Sequence, residues 1–236
     1  MFPLKAATRP VARQGLWVGF ATGLYGLSFG ALSVAAGLNV WQTLLLSALL
    51  FSGGSQFALV GVVAAGGAGA AAVAASSLLG LRNGFYGLQV ARLLQPRGWR
   101  RAVAAQLTID ESTAVALAQP DDERARVGFW ATGLSVYLFW NAMTLAGALL
   151  GNALGDPKAW GLDAAASGAF IALLWPRLGT RAARGVALAA AVVALLATPL
   201  VPPGIPILLA ALVAVLAGAR PGLAGRSDVL DETPAP

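Results

Sequence analysis

Cysteine and histidine are both absent from this chain. Without cysteine there are no disulfides, no thiolate metal sites and no cysteine nucleophiles. Without histidine the chain lacks imidazole proton relays and the commonest metal ligand. We therefore expect no catalytic residues, no metal site and no cofactor, and an enzyme is the least favoured class of function.

Charge is scarce over most of the chain. None of the 68 residues from 14 to 81 is Asp, Glu, Lys, Arg or His. As helix at about 1.5 Å per residue, this stretch is on the order of 100 Å long, several times the hydrocarbon thickness of a bilayer. Hydrophobic residues make up 58% of the chain, charged residues make up 11%, and the mean hydropathy is +0.73. These values predict an all-α fold, a polytopic integral membrane helical bundle with about 7–8 hydrophobic segments.

Three regions follow from the distribution of charge. Residues 1–13 form a predicted cytoplasmic N-terminal arm, residues 14–219 a transmembrane transport domain, and residues 220–236 a disordered tail with few apolar side chains. The apolar run from residue 14 is too long for a signal peptide and is read as the first span. The net charge of +6 is spread over loop ends, which favours a role in membrane orientation over nucleic-acid binding.

The basic segments 5–13, 92–101, 177–184 and 220–226 should prefer the cytoplasm, so both termini are predicted on that side. If residues 41–66 cross the membrane once, segment 92–101 lies outside. If they re-enter, it lies inside. Charge favours re-entry, but the length of 41–66 favours crossing, and crossing is the preferred interpretation.

The first predicted helix, residues 15–37, carries small residues in a narrow stripe. The stripe consists of Gly15, Gly19, Gly23, Gly26, Gly30, Ser33 and Gly37. Such a face lets another helix backbone approach closely. Tight packing is the favoured interpretation, and the alternative is that the face also lines a transport path.

The segment 41–66 contains a polar interruption between two apolar halves. Its residues are Ser52, Gly53, Gly54, Ser55 and Gln56. Two adjacent glycines in mid-membrane predict a broken helix, in which the N–H groups of a half-helix attract a carboxylate and unwound carbonyls attract a cation or an ammonium group. These five residues are candidate substrate-binding residues, and the alternative is a continuous helix with a small-residue contact.

Two further segments carry charge inside apolar sequence. Arg82 lies in a predicted helix over 70–94 and either snorkels to the interface or needs a polar partner. Asp110 and Glu111 lie in residues 102–118, read as one helix with Gln106 beside Asp110. An ionised Asp at the centre of a span costs about 2.5 to 3.5 kcal/mol, so Arg82 is the candidate partner of these acids. The alternative places 102–118 at the interface, and whether it spans stays open.

The longest unambiguous span covers residues 127–151. Asn141 lies on its polar edge and either bonds a neighbouring helix or faces a solvated cavity, which makes it a further candidate substrate-binding residue. Asp163 suits the N-terminal cap of a following segment. Residues 185–200 and 205–219 predict a helical hairpin around a proline-rich turn.

A weak internal repeat relates residues 19–24 to residues 128–134, which share Gly-Phe, Ala-Thr-Gly and Leu with one insertion. Six matches in sequence rich in small residues are poor evidence alone. Duplicated halves are nevertheless common in transporters, with the site at their junction. The repeat modestly favours transport.

Several of these pieces together resemble the AzlC-like branched-chain amino acid permeases, the large subunits of two-component bacterial amino acid exporters. The resemblance covers about residues 16–219, and its motifs are fairly specific only in combination. They are residues 19–30, 51–57, Arg82 with 86–88, 108–111, 137–140 with Gly147, and 161–163 leading to 173–174. The family typically has Asn two residues before the arginine and His just after it, where this chain has Gly80 and Asn83.

The resemblance implies export of valine, leucine, isoleucine or similar apolar amino acids across the bacterial cytoplasmic (inner) membrane, driven by the proton gradient. It also implies a separately encoded small hydrophobic partner, an AzlD-like subunit with about four spans. In those terms Gly53, Gly54, Ser55 and Gln56 are candidates for the substrate carboxylate. Asp110 or Glu111 then binds the ammonium group or carries the coupling proton, since no histidine is present.

Two other classes of function compete with a transporter. A structural or assembly membrane subunit would use the glycine stripes only for packing. An intramembrane enzyme is less favoured, because the sequence has no paired catalytic motif, metal-ligand set or nucleophile with an assigned base.

Overall fold

The computed structural model describes residues 6–154, 171, 174–175 and 178–219. These residues form α-helices joined by short turns, with no strand among them. Asp163 and the tail 220–236, for which the sequence predicts a helix cap and disorder, lie outside the described residues.

The chain divides into two compact units, residues 1–170 and 171–236. The described helices of the first unit are α1 (Arg9–Ala35), α2 (Val40–Leu49), α3 (Gly53–Ala64), α4 (Gly69–Leu94), α5 (Trp99–Gln106), α6 (Asp110–Leu117) and α7 (Asp122–Leu154). The described part of the second unit contains α8 (Arg181–Ala197) and α9 (Ile205–Gly218).

By length and composition, α1 and α7 are the described helices that could each cross a membrane unaided. Helix α4 is 26 residues long but carries Arg82 and Arg92. The segments predicted over 41–66 and 102–118 each consist of two short helices, α2 with α3 and α5 with α6. The helices therefore support a membrane bundle without fixing the number of crossings.

Helix α1 begins earlier than the sequence predicts, at Arg9 rather than at residue 15. Pro10 stands in its first turn, where the missing N–H of proline costs nothing. The end of the predicted arm 1–13 is therefore helical. The helix ends at Ala35, so Gly37 is not part of its stripe: it lies in the following turn at φ +96°, with no packing neighbour at its Cβ position.

The glycine stripe of α1 packs against α7. The α1 glycines that meet α7 are Gly15, Gly19, Gly23, Gly26 and Gly30. A Cβ atom added at Gly15 would lie 2.8 Å from the backbone nitrogen of Thr132, and one at Gly26 would lie 2.7 Å from the carbonyl oxygen of Trp140. These separations are shorter than a real Cβ contact. The packing interpretation is confirmed, and the alternative that this face lines a path is wrong because α7 fills it.

The second unit is the predicted helical hairpin. The hydroxyl of Thr180 caps α8 by accepting a hydrogen bond from the N–H of Ala183 at 3.1 Å. The turn between α8 and α9 contains three prolines and ends at Gly204, whose φ of +95° suits glycine. Helices α8 and α9 pack against each other through alanines.

Candidate functional site

The predicted helix break lies between α2 and α3. Ser52 is extended (φ −159°, ψ 98°), and its carbonyl oxygen accepts the first hydrogen bond of α3 from the N–H of Gln56 at 3.0 Å. The break is slightly earlier than predicted, because Gly53 to Gln56 form the first turn of α3 instead of lying in the interruption.

This first turn leaves backbone donors free of helical partners. The N–H groups of Gly53, Gly54 and Ser55 come before that of Gln56, which is the first N–H of α3 with an acceptor in the helix. Among the described residues no side chain caps them, and the hydroxyls of Ser52 and Ser55, 3.2 Å apart, bond each other. Uncapped N–H groups at the positive end of a helix dipole attract an anion.

On the other side of the break, side-chain donors bond the backbone carbonyl groups at the end of α2. The amide nitrogen Nε2 of Gln56 donates to the carbonyl oxygen of Ser47 at 3.1 Å, and Nε2 of Gln106 donates to that of Ala48 at 2.8 Å. The hydroxyl of Tyr137 adds a long bond to Ala48 at 3.4 Å. The carbonyl groups at the end of α2 therefore already accept hydrogen bonds, and the amide nitrogen of Gln56 is committed to them. The Oε1 atom of Gln56 is buried without a hydrogen-bond partner among the described residues.

Arg82 of α4 lies beside the start of α3. Its Nη1 forms an ion pair with Oδ2 of Asp110 at 2.8 Å, and the two side chains are 30% and 18% exposed. Its Nη2 lies 3.2 Å from the position that a Cβ atom would take at Gly54. The Nε atom of Arg82 is buried and has no hydrogen-bond partner in the described part of the chain. The predicted pairing of Arg82 with an acid is confirmed, and this arginine does not simply snorkel.

Asp110 occupies the start of a second half-helix. The sequence predicts one helix over 102–118, and this is wrong, because the helix breaks at residues 107–109 between α5 and α6. The hydroxyl of Thr108 donates to the carbonyl oxygen of Ala104 at 2.7 Å, and that of Ser112 donates to Leu107 at 2.6 Å. These side-chain bonds replace backbone bonds of a continuous helix.

The break separates residues that the sequence places on one face. Gln106 ends α5 and reaches the carbonyl end of α2, whereas Asp110 begins α6 and reaches Arg82. Glu111 follows Asp110 in the first turn of α6 and is partly buried. Acids are favourable in this first turn because they face the positive end of the helix dipole.

Trp140 of α7 is the residue of this site that sequence reasoning missed. It is 5% exposed, and its Cη2 atom lies 3.1 Å from the Cβ position of Gly53. The ring stacks on Phe29 with centroids 6.1 Å apart and meets Phe57 edge to face at 6.3 Å. Its Nε1 is buried without a partner among the described residues. A signal was available, because tryptophan in membrane helices is usual at the interfaces and Trp140 lies mid-span.

Asn141 follows Trp140 in α7, and its side chain bonds the backbone of its own helix. Its amide nitrogen donates to the carbonyl oxygen of Tyr137, one turn earlier in α7, at 2.8 Å. The side chain is partly buried. Its predicted role in substrate binding stays a prediction, while Trp140 is the α7 residue in contact with the start of α3.

A protein-family model, described as AzlC protein, matches residues 18–154, which is more than half of the chain. The chain belongs to the AzlC family. No curated protein and no solved structure matches it. The matched range holds both helix breaks, Arg82, Asp110 and Trp140, whereas α8 and α9 lie beyond it.

Membership of the AzlC family indicates what kind of protein contains this site. The family is associated with branched-chain amino acid transport, and with the apolar helices it makes this chain a membrane protein. The site then consists of two half-helix starts inside a membrane protein, with Arg82 of α4 beside the start of α3 and paired with Asp110 at the start of α6. Discontinuous helices of this kind are the usual substrate-binding elements of secondary transporters.

Proposed function

We propose that this AzlC-family protein is the large subunit of a transporter that exports valine, leucine, isoleucine or a similar apolar amino acid. The observation that carries the proposal is the start of α3, where three uncapped N–H groups lie beside the Arg82–Asp110 ion pair. A purely structural subunit has no need of uncapped donors next to a charged pair, because both are costly away from water.

The substrate carboxylate binds at the N–H groups of Gly53, Gly54 and Ser55. These groups carry the positive end of the α3 dipole. The indole Nε1 of Trp140 supplies one more donor, since its ring meets the same turn through Cη2 and Nε1 is buried without a partner in the described part of the chain. An anionic group is the ligand that satisfies such a set of donors.

The rest of the amino acid is bound by neighbouring groups. Asp110 and Glu111 accept the ammonium group or carry the coupling proton. The apolar side chain packs against the aromatic cluster of Phe29, Phe57 and Trp140, whose rings lie 5.6 to 6.3 Å apart. Apolar walls with a few polar groups are typical of small-molecule sites.

The protein works in the bacterial cytoplasmic membrane with a multi-pass topology and a cytoplasmic N-terminus. Its partner is a small hydrophobic AzlD-like subunit of about four spans. Large apolar side chains are exposed along the described helices, for example Leu81, Phe85 and Leu88 of α4. Such side chains suit lipid or a membrane partner better than water.

Counterflow of labelled valine in proteoliposomes tests the proposal. The purified protein is reconstituted with and without its small partner, and the vesicles are loaded with unlabelled valine. We expect labelled valine to accumulate transiently with the partner present. An absence of counterflow with both subunits present would favour the structural or assembly role instead.

A further inference from the structure

Several hydrogen-bond donors without a described partner lie around the start of α3. The start itself has three backbone N–H groups, and Arg82, whose Nη2 lies beside Gly54, has a buried Nε without a described partner. Trp140 meets Gly53 through Cη2, which lies 3.1 Å from the Cβ position of Gly53, and the Nε1 of the same ring is buried without a described partner. Trp140 is 5% exposed and Arg82 has a buried, unpartnered Nε. These two side chains point to a missing anionic ligand independently of the helix start.

We propose that a zwitterionic amino acid inserts into the Arg82–Asp110 ion pair, so that its carboxylate replaces Asp110 at Arg82 and its ammonium group replaces Arg82 at Asp110. This inference rests on the proposed function and deepens it. It assigns Arg82 as a direct substrate ligand and makes its ion pair the closed form of the site.

The geometry supports insertion because the guanidinium lies between the two half-helix starts. Nη1 bonds Asp110 at the start of α6, and Nη2 lies beside Gly54 at the start of α3. Guanidinium is a planar fork that binds carboxylates through two N–H groups at once. A carboxylate seated on the α3 N–H groups is therefore within reach of Nη2 without a movement of α4.

Charge balance explains why the substrate carboxylate replaces Asp110 at Arg82 instead of binding Arg82 together with Asp110. Among the described residues, the cluster contains the cation Arg82 and two carboxyl groups, those of Asp110 and Glu111. A lone carboxylate would add a third anion around a single cation, which is unfavourable in a poorly solvated site. A zwitterion supplies its own cation to Asp110, so every charge keeps a partner after insertion.

Partial exposure gives a ligand access to the ion pair. The two side chains are 30% and 18% exposed, so the pair is not sealed in the interior. The pair can thus open for a ligand that offers both charges a new partner.

Competition binding on the purified complex with its small partner tests the inference. Labelled valine is displaced by valine or by isovalerate, which is valine without its amino group. In wild type, isovalerate must break the ion pair, so Asp110 loses its contact with Arg82 and gains no cation in exchange. In Asp110→Asn that pair is already absent, so we expect isovalerate to bind about tenfold more tightly than in wild type, the size of one hydrogen bond to a charged group. The preference for valine over isovalerate should fall at the same time.

Asp121→Asn is the matched control, because Asp121 is exposed and lies outside the site. We expect it to leave both affinities unchanged. If Asp110→Asn keeps the melting temperature of wild type and its isovalerate affinity is unchanged or weaker, the inference is overturned. If wild type itself binds no valine, the proposed function fails, which is a separate outcome.

A second measurement uses wild type alone and does not depend on the folding of a variant. Isovalerate and isobutylamine together carry the two charges of valine on separate molecules. Insertion predicts that saturating isobutylamine increases the affinity for isovalerate about tenfold, because the amine takes Asp110 and frees Arg82. Independent binding of the two compounds would contradict the exchange of partners.

Discussion

The proposed carboxylate site depends on single residues around the start of α3. Trp140 contacts Gly53 and has a buried Nε1 without a described partner. Replacing Trp140 by Phe keeps a ring of similar shape and removes the N–H donor. We expect the affinity for valine to fall about tenfold, because a hydrogen bond to a charged group is lost.

Valine titration of the purified complex measures this effect. Trp41→Phe is the control, since Trp41 is 76% exposed and lies in the first turn of α2, at the end away from the start of α3. Equal affinities in wild type and Trp140→Phe would remove Trp140 from the carboxylate site.

Asp110 and Glu111 are the acids available for proton coupling, and Arg82 is the cation that faces them. We expect their amide variants, Asp110→Asn and Glu111→Gln, to lose the dependence of net valine transport on a pH gradient, because an amide cannot carry the proton. Transport in proteoliposomes with an imposed gradient measures this. Glu123→Gln, at an exposed position, serves as control. Undiminished coupling in both variants would contradict the assignment.

Among the helices, the close packing of α1 against α7 predicts how a larger residue at the contact changes stability. A Cβ atom at Gly30 would collide with the carbonyl oxygen of Thr144 and lie 2.6 Å from the nitrogen of Ala148. Backbone atoms cannot move aside as side-chain ends can, so Gly30→Ala forces the helices apart. We expect a loss of about 1 to 3 kcal/mol, the usual cost of overpacking.

The melting temperature of the purified protein checks this prediction. Gly84→Ala in α4 is the matched control, since Gly84 is helical and has no packing neighbour at its Cβ position. There alanine should be neutral or should stabilise the helix by about 0.5 to 1 kcal/mol. Equal melting temperatures for the two variants would contradict the packing account.

The elements also show what sequence could and could not predict. Paired glycines predict the break before α3, and the cost of an unpaired charge in lipid predicts the partnership of Arg82 with an acid. The second break at residues 107–109 has no glycine or proline. It forms because the hydroxyls of Thr108 and Ser112 bond the backbone, and either residue could equally have fitted a continuous helix.

The hydrogen-bond partner of the Gln56 amide nitrogen could not be predicted from the sequence either. Its amide could face a substrate or the end of α2, and only the packing of the two half-helices decides between them. Local composition indicates where polar groups occur in an apolar chain. Their partners can lie 120 positions away, as in the bond that the hydroxyl of Ser135 donates to the carbonyl oxygen of Gly15.

At the scale of the whole molecule, the topology can be mapped directly. The chain has no cysteine, so any introduced cysteine is the only thiol. We expect Ala7→Cys and Ser227→Cys to react with an impermeant thiol reagent only from the cytoplasmic side, because basic flanks prefer the cytoplasm. Labelling of either position in right-side-out vesicles would contradict the predicted orientation.

The same assay decides how α2 and α3 lie in the membrane. If this broken segment crosses, Arg97→Cys in the loop after α4 reacts from the outside. We expect crossing, since α2 and α3 together match the thickness of the bilayer. Protection of this position in right-side-out vesicles would instead indicate re-entry.

The central claim is that the start of α3 and Arg82 bind the carboxylate of an amino acid during transport. Valine counterflow by Arg82→Gln, with Arg92→Gln as the matched control, tests it most directly. Arg92 is exposed in the last turn of the same helix. We predict that Arg82→Gln abolishes counterflow while Arg92→Gln retains it. Counterflow at the wild-type rate in Arg82→Gln would contradict the account.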